Sequence, residues 1–223
     1  MATHGGPNIV EDGLVFYIDP ANTDSYVSGS ETAFSLFPSA SIAFTGSLKN
    51  NVSGSMGDKK SFNFDGIDTY IALGSSLNLG KENTIDLWVY KTGTHTVLTG
   101  EGSYSYDYNL YISSTQGTYL RVGSVGVWSY IVSNDIWVNV VITRNQTTLK
   151  LYIDGEFIGN NTSGAITNTT DTKFDTIGDK SNGSHSGGAT PFVGQMSIIK
   201  AYNRELSAQE IKQNFNALNR FGI

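Results

Sequence analysis

The hydrophobic pattern of this chain has a period of two. Ile85, Leu87 and Val89 fall on one face of a strand, and Asp86, Trp88 and Tyr90 fall on the other. Leu149, Leu151 and Ile153 repeat the pattern against Lys150, Tyr152 and Asp154. From residue 61 such segments follow one another closely: SFNFD, TYIAL, TIDLWVYK, YSYDYNLYI, TYLRVGSV, IWVNVVITR and TLKLYIDG. An earlier strand is predicted over Gly13–Asp19. Residues 20–60 carry only short apolar runs, and residues 1–12 read as an extended arm. Asp154-Gly155 lies between two strand-like runs and predicts a tight hairpin turn.

One helix is predicted, over 207–218. Ser207 and Glu210 stand at capping-box spacing, and Leu206 and Ile211 flank them at hydrophobic-staple spacing. Ile211, Phe215 and Leu218 share one stripe, which packs the helix on the sandwich, at one end. The expected fold is therefore all-β, a two-sheet antiparallel jelly-roll sandwich with one short C-terminal helix. No repeat and no change of composition divides the chain, so residues 1–223 are read as a single domain.

Composition narrows the partners. Only 15% of the 223 residues are charged and the formal net charge is −6. Nucleic acid and anionic membrane surfaces both demand concentrated Lys and Arg, so neither is an expected partner. No run is long and apolar enough for membrane insertion. There is no cysteine, which excludes disulfides and thiolate metal sites. The opening Met1–Pro7 has neither a basic start nor an apolar stretch, so no signal peptide is expected.

Three segments carry a family resemblance. They are Phe64-Asp65-Gly66-Ile67-Asp68-Thr69-Tyr70-Ile71 with Thr84–Val89, then Trp137–Arg144 running into Leu149–Gly155, then Phe192–Gln195 through Ala201–Ser207. Together they resemble the laminin G-like branch of the concanavalin A-like lectin/glucanase superfamily, over residues 13–217. The opening Pro7–Val15 and the closing Ile211–Ala217 with Arg220–Ile223 look like those of lectin-like structural proteins of tailed bacteriophages. The resemblance implies a non-enzymatic virion protein, either capsid decoration or a tail-fibre adhesin domain. It would be made in the host cytoplasm, displayed on the virion surface in many copies or as a homo-oligomer, and in contact with virion proteins and host glycans. The alternative is a stand-alone carbohydrate-binding lectin, and behind it a polysaccharide hydrolase.

The residues give little support to the hydrolase. Glycoside hydrolysis needs two carboxylates facing one bond. The strand Ile85–Val89 offers only Asp86, which is read as solvated or paired across the sheet. His4, His95 and His185 lie far apart in arm-like or loop-like sequence, without zinc-ligand spacing. No catalytic residue is therefore assigned.

Calcium is the better metal candidate, because relatives hold it at the sandwich rim. Asp65 and Asp68, or Asp175 and Asp179, could supply the oxygens. Turn stabilisation is the preferred reading of these residues, with a structural calcium as the alternative. The candidate glycan site is aromatic. Tyr104, Tyr106 and Tyr108 alternate along one strand, with Asp107 between them and Trp128 on a nearby segment. Exposed rings of this kind stack on sugars, and the competing reading buries them. Finally, the first ten residues and the basic tail from Lys200 are read in two ways: folded back on the sandwich, or docked on a virion lattice.

Overall fold

The computed structural model describes residues 8–27, 30–36, 45–49, 53–54, 60–93, 95–100, 110–113, 117–122, 124–128, 130–161, 171–179 and 191–219. The strands form two antiparallel sheets. The first contains β1 (Leu14–Ile18), β4 (Ser53–Gly54), β5 (Phe62–Asp65), β7 (Glu82–Lys91), β12 (Trp137–Asn145), β13 (Thr148–Ile153), β14 (Glu156–Asn161) and β16 (Val193–Tyr202). Its order is β14-β13-β12-β7-β16-β5-β4, with β1 also paired to β16. The second contains β2 (Thr32–Phe34), β3 (Thr45–Lys49), β6 (Tyr70–Gly80), β8 (His95–Gly100), β9 (Leu110–Ser113), β10 (Gly117–Val122), β11 (Ser124–Trp128) and β15 (Thr172–Ile177). Its order is β11-β10-β9-β8-β15-β6-β3-β2.

Alternation explains the sandwich. Ile85, Leu87 and Val89 of β7 meet Val138, Val140 and Ile142 of β12 and Leu149, Leu151 and Ile153 of β13 in the layer between the sheets. The second sheet contributes Ile71, Leu73, Leu77, Leu79, Leu110, Ile112 and Phe174. Phe16 meets Phe174 edge to face at 6.1 Å, which joins the two sheets across this layer.

The central strands of the first sheet, β7, β12 and β16, are buried on both faces. Trp88, Val141, Tyr152, Ile198 and Tyr202 point away from the main core into a second apolar cluster, covered by helix α1 (Ala208–Leu218) and by residues Val10 and Leu14. Both halves of the capping box form, since Ser207 accepts from the Glu210 amide while the Glu210 carboxylate accepts from the Ser207 amide. Ile211 and Phe215 face the sheet. The helix therefore lies across the outer face of the first sheet and not at one end of the sandwich. A charged-looking strand face with Trp88 and Tyr90 on it already needed a cover, and α1 supplies one.

The hairpin at Asp154-Gly155 forms as the dipeptide predicts. Both residues have positive φ, 53° and 76°, the geometry whose twist matches the flanking strands. His95 opens β8 instead of sitting in a loop. Three short strands, β2, β3 and β4, occupy the stretch that looked irregular.

Candidate functional site

Among the described residues, the outer face of the second sheet around β6 is not covered by a helix. Along β6 the inward Ile71 and Leu73 alternate with the half-buried Tyr70 and Ala72. The register places Lys49 beside Tyr70, Ser47 beside Ala72, and Lys173 beside Asn78, all on this face. Pairing with β15 slips between Phe174 and Thr176, so Gly74, Ser75 and Ser76 stand exposed mid-strand. Asn78 donates from Nδ2 to the Asp171 carboxylate at 3.0 Å and accepts from the Gly80 amide. The result is one aromatic ring flanked by a lysine, followed by small residues and an oriented amide. Such a surface admits a sugar ring close to the backbone and offers it both stacking area and polar partners. Tyr70 is absent from the sequence-based site; the alternation in TYIAL sets it on the face opposite Ile71 without saying that this face stays uncovered.

Of the predicted aromatic site only the backbone of Trp128 lies within the described residues. Tyr104, Tyr106, Asp107 and Tyr108 lie outside the described residues. Trp128 closes β11 opposite Thr118.

Asp65 is occupied by its own turn. Asp65 Oδ1 accepts from the amides of Ile67 (2.8 Å), Asp68 (3.2 Å) and Thr69 (3.3 Å), and from the Thr69 hydroxyl (2.8 Å). Partial burial pushes this carboxyl up, but the amide and hydroxyl donors outweigh it and hold it below the usual range. Asp68 is exposed in the same turn. Asp175 is half-buried and accepts from the Thr176 hydroxyl at 2.8 Å, while Asp179 is fully buried. Among the described residues no three acidic or histidine side chains converge as a metal-binding group. The Asp65 turn thus has the geometry of turn stabilisation.

At the same end, Lys91 ties a loop down. Its ammonium donates to the Gly93 carbonyl at 2.9 Å and to the Asn134 side chain, and its carbonyl accepts from the Asp135 amide. Desolvation lowers the Lys91 pKa, and Asp135 partly offsets it. The loop so fixed exposes Tyr130, Ile131 and Ile136. Ile67, beyond the Asp65 turn, is the most exposed large apolar residue described.

Asp86 is not solvated. It lies buried beneath α1, with Oδ2 2.7 Å from Lys200 Nζ, its direct partner in the β7–β16 register. Asn139 donates to Oδ1 at 2.8 Å. A carboxylate so enclosed faces no cleft. Of the described carboxyls whose pKa shifts, only that of Asp154 rises; burial lifts it, against the Asn139 amide and Lys212. Tyr130 rises through burial and the nearby Asp154 charge.

The comparisons agree with this architecture. A family model described as the concanavalin A-like lectin/glucanases superfamily, of laminin G type, matches residues 65–212. The chain belongs to this superfamily. No curated protein matches it by sequence. Solved structures do. Domain 4 of an extracellular arabinanase from Geobacillus stearothermophilus, in complex with arabinotriose, aligns with a TM-score of 0.58 and 15% identity, over 93% of this chain and 100% of that one. The binding domain of botulinum neurotoxin serotype D aligns with a TM-score of 0.64 and 13% identity, over 93% of this chain and 52% of that one. Trypanosoma rangeli sialidase in complex with the inhibitor DANA aligns with a TM-score of 0.66 and 14% identity, over 97% and 34%. This lectin-like chain therefore spans about half of the toxin binding domain and a third of the sialidase. At such identities the likeness concerns the fold.

Proposed function

We propose that this lectin-like domain is a non-enzymatic glycan-contacting module displayed on the surface of a tailed-bacteriophage virion, as capsid decoration or as a tail-fibre adhesin domain. The observation that carries the reading is the one-sidedness of the fold. Residues 8–14 and helix α1 both lie on the outer face of the first sheet, side by side: Asn214 Oδ1 accepts from the Val10 amide, and the Asn8 carbonyl accepts from Gln213 Nε2. Among the described residues no helix covers the opposite face, where Tyr70, Lys49 and Asn78 stand. A module held by the first face presents the second outward.

Glycan contact is supported by the similar folds whose structures contain arabinotriose or a sialylated ligand. The virion setting rests on the resemblance of both chain ends to tailed-phage structural proteins. A stand-alone lectin is the second reading, since the arabinotriose-bound neighbour, an arabinanase domain, shares the fold over its whole length without any virion setting.

The experiment has three arms. The isolated domain is applied to an array of arabinans, glucans and sialylated glycans. The same glycans are assayed for released reducing ends. Purified virions expressing a tagged copy are imaged for label. Virion label with weak, Tyr70-dependent glycan binding and no turnover is the expected outcome. Tight monomeric binding without virion label would instead identify a free lectin, and turnover would identify a hydrolase.

A further inference from the structure

Strand β14 (Glu156–Asn161) is an edge of the first sheet, and among the described residues no strand pairs with its far side. β11 of the second sheet comes close to it without joining it. The pairing with β13 decides which backbone groups remain. Asp154 and Gly155 form a two-residue loop, so Ile153 and Glu156 close the ladder as a pair that exchanges both hydrogen bonds. Phe157, opposite Tyr152, then turns its amide and carbonyl outward. Ile158 is the extra residue of a bulge, Gly159 pairs with Leu151, and Asn160, opposite Lys150, turns outward again.

The side chains do little to guard this edge. Exposed edge strands are ordinarily protected by lysine, proline or charge. β14 has neither lysine nor proline, and Phe157 and Ile158 are 54% and 38% exposed. Its one charged residue, Glu156, is paired with Lys212, and Lys150 on the neighbouring strand is paired with Glu205. On a chain of net charge −6, this edge is locally neutral and apolar.

From these features we infer that β14 is a self-association edge, at which two copies of the chain pair antiparallel about a two-fold axis. A second β14 meets every requirement of the first. With Phe157 opposite Asn160 of the partner subunit, and Asn160 opposite the partner's Phe157, the outward groups of both strands exchange hydrogen bonds. The bulge, which puts an ordinary strand out of step, is matched by the same bulge in the copy. Glu156 faces Asn161 of the partner subunit, so no like charges meet. The axis of such a pair stands perpendicular to the sheet, and the contact is isologous. Both α1 helices then lie on one side of the dimer, and both Tyr70 faces look out on the other. Two weak contacts presented side by side gain avidity.

Sedimentation velocity of the full chain tests the dimer. The mass is expected to rise from 24.1 kDa toward twice that value with concentration. Combining Phe157→Lys with Ile158→Lys is expected to hold the chain monomeric, whereas Val27→Lys, at an exposed apolar residue outside β14, is expected to leave association intact. The register is tested by disulfide trapping, because the chain has no cysteine. Directly opposite residues of a hydrogen-bonded pair have Cα atoms about 5.5 Å apart, within disulfide reach. A mixture of Phe157→Cys and Asn160→Cys chains is expected to crosslink, and neither variant alone, since like positions do not face each other. A wild-type chain that stays monomeric at every concentration overturns the inference. So does a dimer that survives the paired lysines. Should those lysines unfold the domain, the cysteine mixture decides, and the lack of a mixed crosslink overturns the inference.

Discussion

The ring of Phe215 lies flat on the indole of Trp88, with planes 9° apart and centroids 5.5 Å apart. The pair joins the helix to the central strand of the first sheet and stands at the heart of the second apolar cluster. A Phe215→Ala substitution removes the ring and leaves Trp88 without its cover. Buried Phe→Ala changes cost about 3–5 kcal/mol, and a site at a helix–sheet seam belongs near the lower end. Urea unfolding followed by tryptophan emission checks this. The expected result is a lower midpoint with a red-shifted native spectrum, while the far-ultraviolet strand signal persists.

Gly155 is the second point where the helix and the sheet meet. Its φ of 76° suits glycine, and a Cβ there would come within 2.9 Å of Lys212 Cδ and 3.1 Å of Phe215 Cβ. Left-handed backbone costs a side-chain-bearing residue roughly 1–2 kcal/mol before any crowding. Gly155→Ala is therefore expected to destabilise by about 2 kcal/mol, whereas Gly74→Ala, with open space around it, is expected to be nearly silent. Paired thermal melts of the two variants separate backbone and crowding effects from simple loss of glycine flexibility.

The pH dependence of the helix start follows from Glu210. Arg204 hydrogen bonds to its carboxylate at 2.6 Å, and Ser207 adds two more donors. Arg204 first, and Ser207 after it, bring the Glu210 pKa down to about 2, against the effect of burial. A depressed folded-state pKa contributes stability above the unfolded value near 4.5, and that contribution is lost as the pH falls toward 2. The group is partly solvated, so screening reduces the effect. The melting temperature is expected to fall between pH 5 and pH 2, and Glu210→Gln is expected to flatten that part of the profile.

Much of this was legible from the chain. The period-two runs gave the strands, and Ser207 with Glu210 gave the helix start. What alternation could not reveal was which outward faces would be covered. Asp86 and Lys200 look like surface charges in sequence, because a strand position opposite Leu87 normally meets water. They are buried because Trp88, Tyr202 and Tyr152 make the outer face apolar enough to attract α1. The basic tail was misleading for the same reason. Lys200 pairs with Asp86, Arg204 with Asp12 and Glu210, and Lys212 with Glu156, so those cations are neutralised within the domain. Of the two sequence readings for residues 8–10 and the helix, the folded-back one describes them. For the candidate glycan surface, Tyr70 was hidden because no sequence rule says which sheet will lack a covering helix.

The Asp65 turn predicts how the domain meets calcium. One carboxylate oxygen already takes four donors, an arrangement that an ion would have to dismantle. Added calcium is expected to leave the melting temperature unchanged, as is a chelator. Asp65→Ala orphans these donors and is expected to cost about 1–2 kcal/mol. A calcium-dependent rise in the melting temperature of wild type, lost in Asp65→Ala, would assign the turn to the ion instead.

The last prediction concerns Asn214, which holds the first described residues to the domain. Its Oδ1 accepts from the Val10 amide at 2.8 Å, and its Nδ2 donates to the Tyr202 hydroxyl at 3.0 Å. That hydroxyl in turn donates to the Val10 carbonyl at 3.1 Å. Val10 is thus bonded on both sides of its backbone by two buried side chains. The Tyr202 proton is correspondingly hard to remove: burial first, then the Asp86 charge, pushes its pKa far above that of a free phenol. The hydroxyl therefore stays a donor throughout the accessible pH range. Replacing Asn214 by Leu keeps an apolar body under the helix but leaves the Val10 amide without its acceptor. A buried donor deprived of its partner costs about 1–3 kcal/mol. Besides Ile9 and Val10, residues 8–12 are held only by exposed polar contacts, Gln213 to the Asn8 carbonyl and Arg204 to Asp12, which water can replace. The arm is expected to detach while the sandwich and helix remain folded. Hydrogen exchange at Val10 is expected to quicken by at least tenfold, and limited proteolysis to cut before Leu14, with exchange in β7 and β12 unchanged. Tyr202→Phe, which removes only the second tether, is expected to show a smaller change of the same kind. If β7 and β12 also exchange faster in Asn214→Leu, the arm is an integral part of the cooperative unit and not a separable latch.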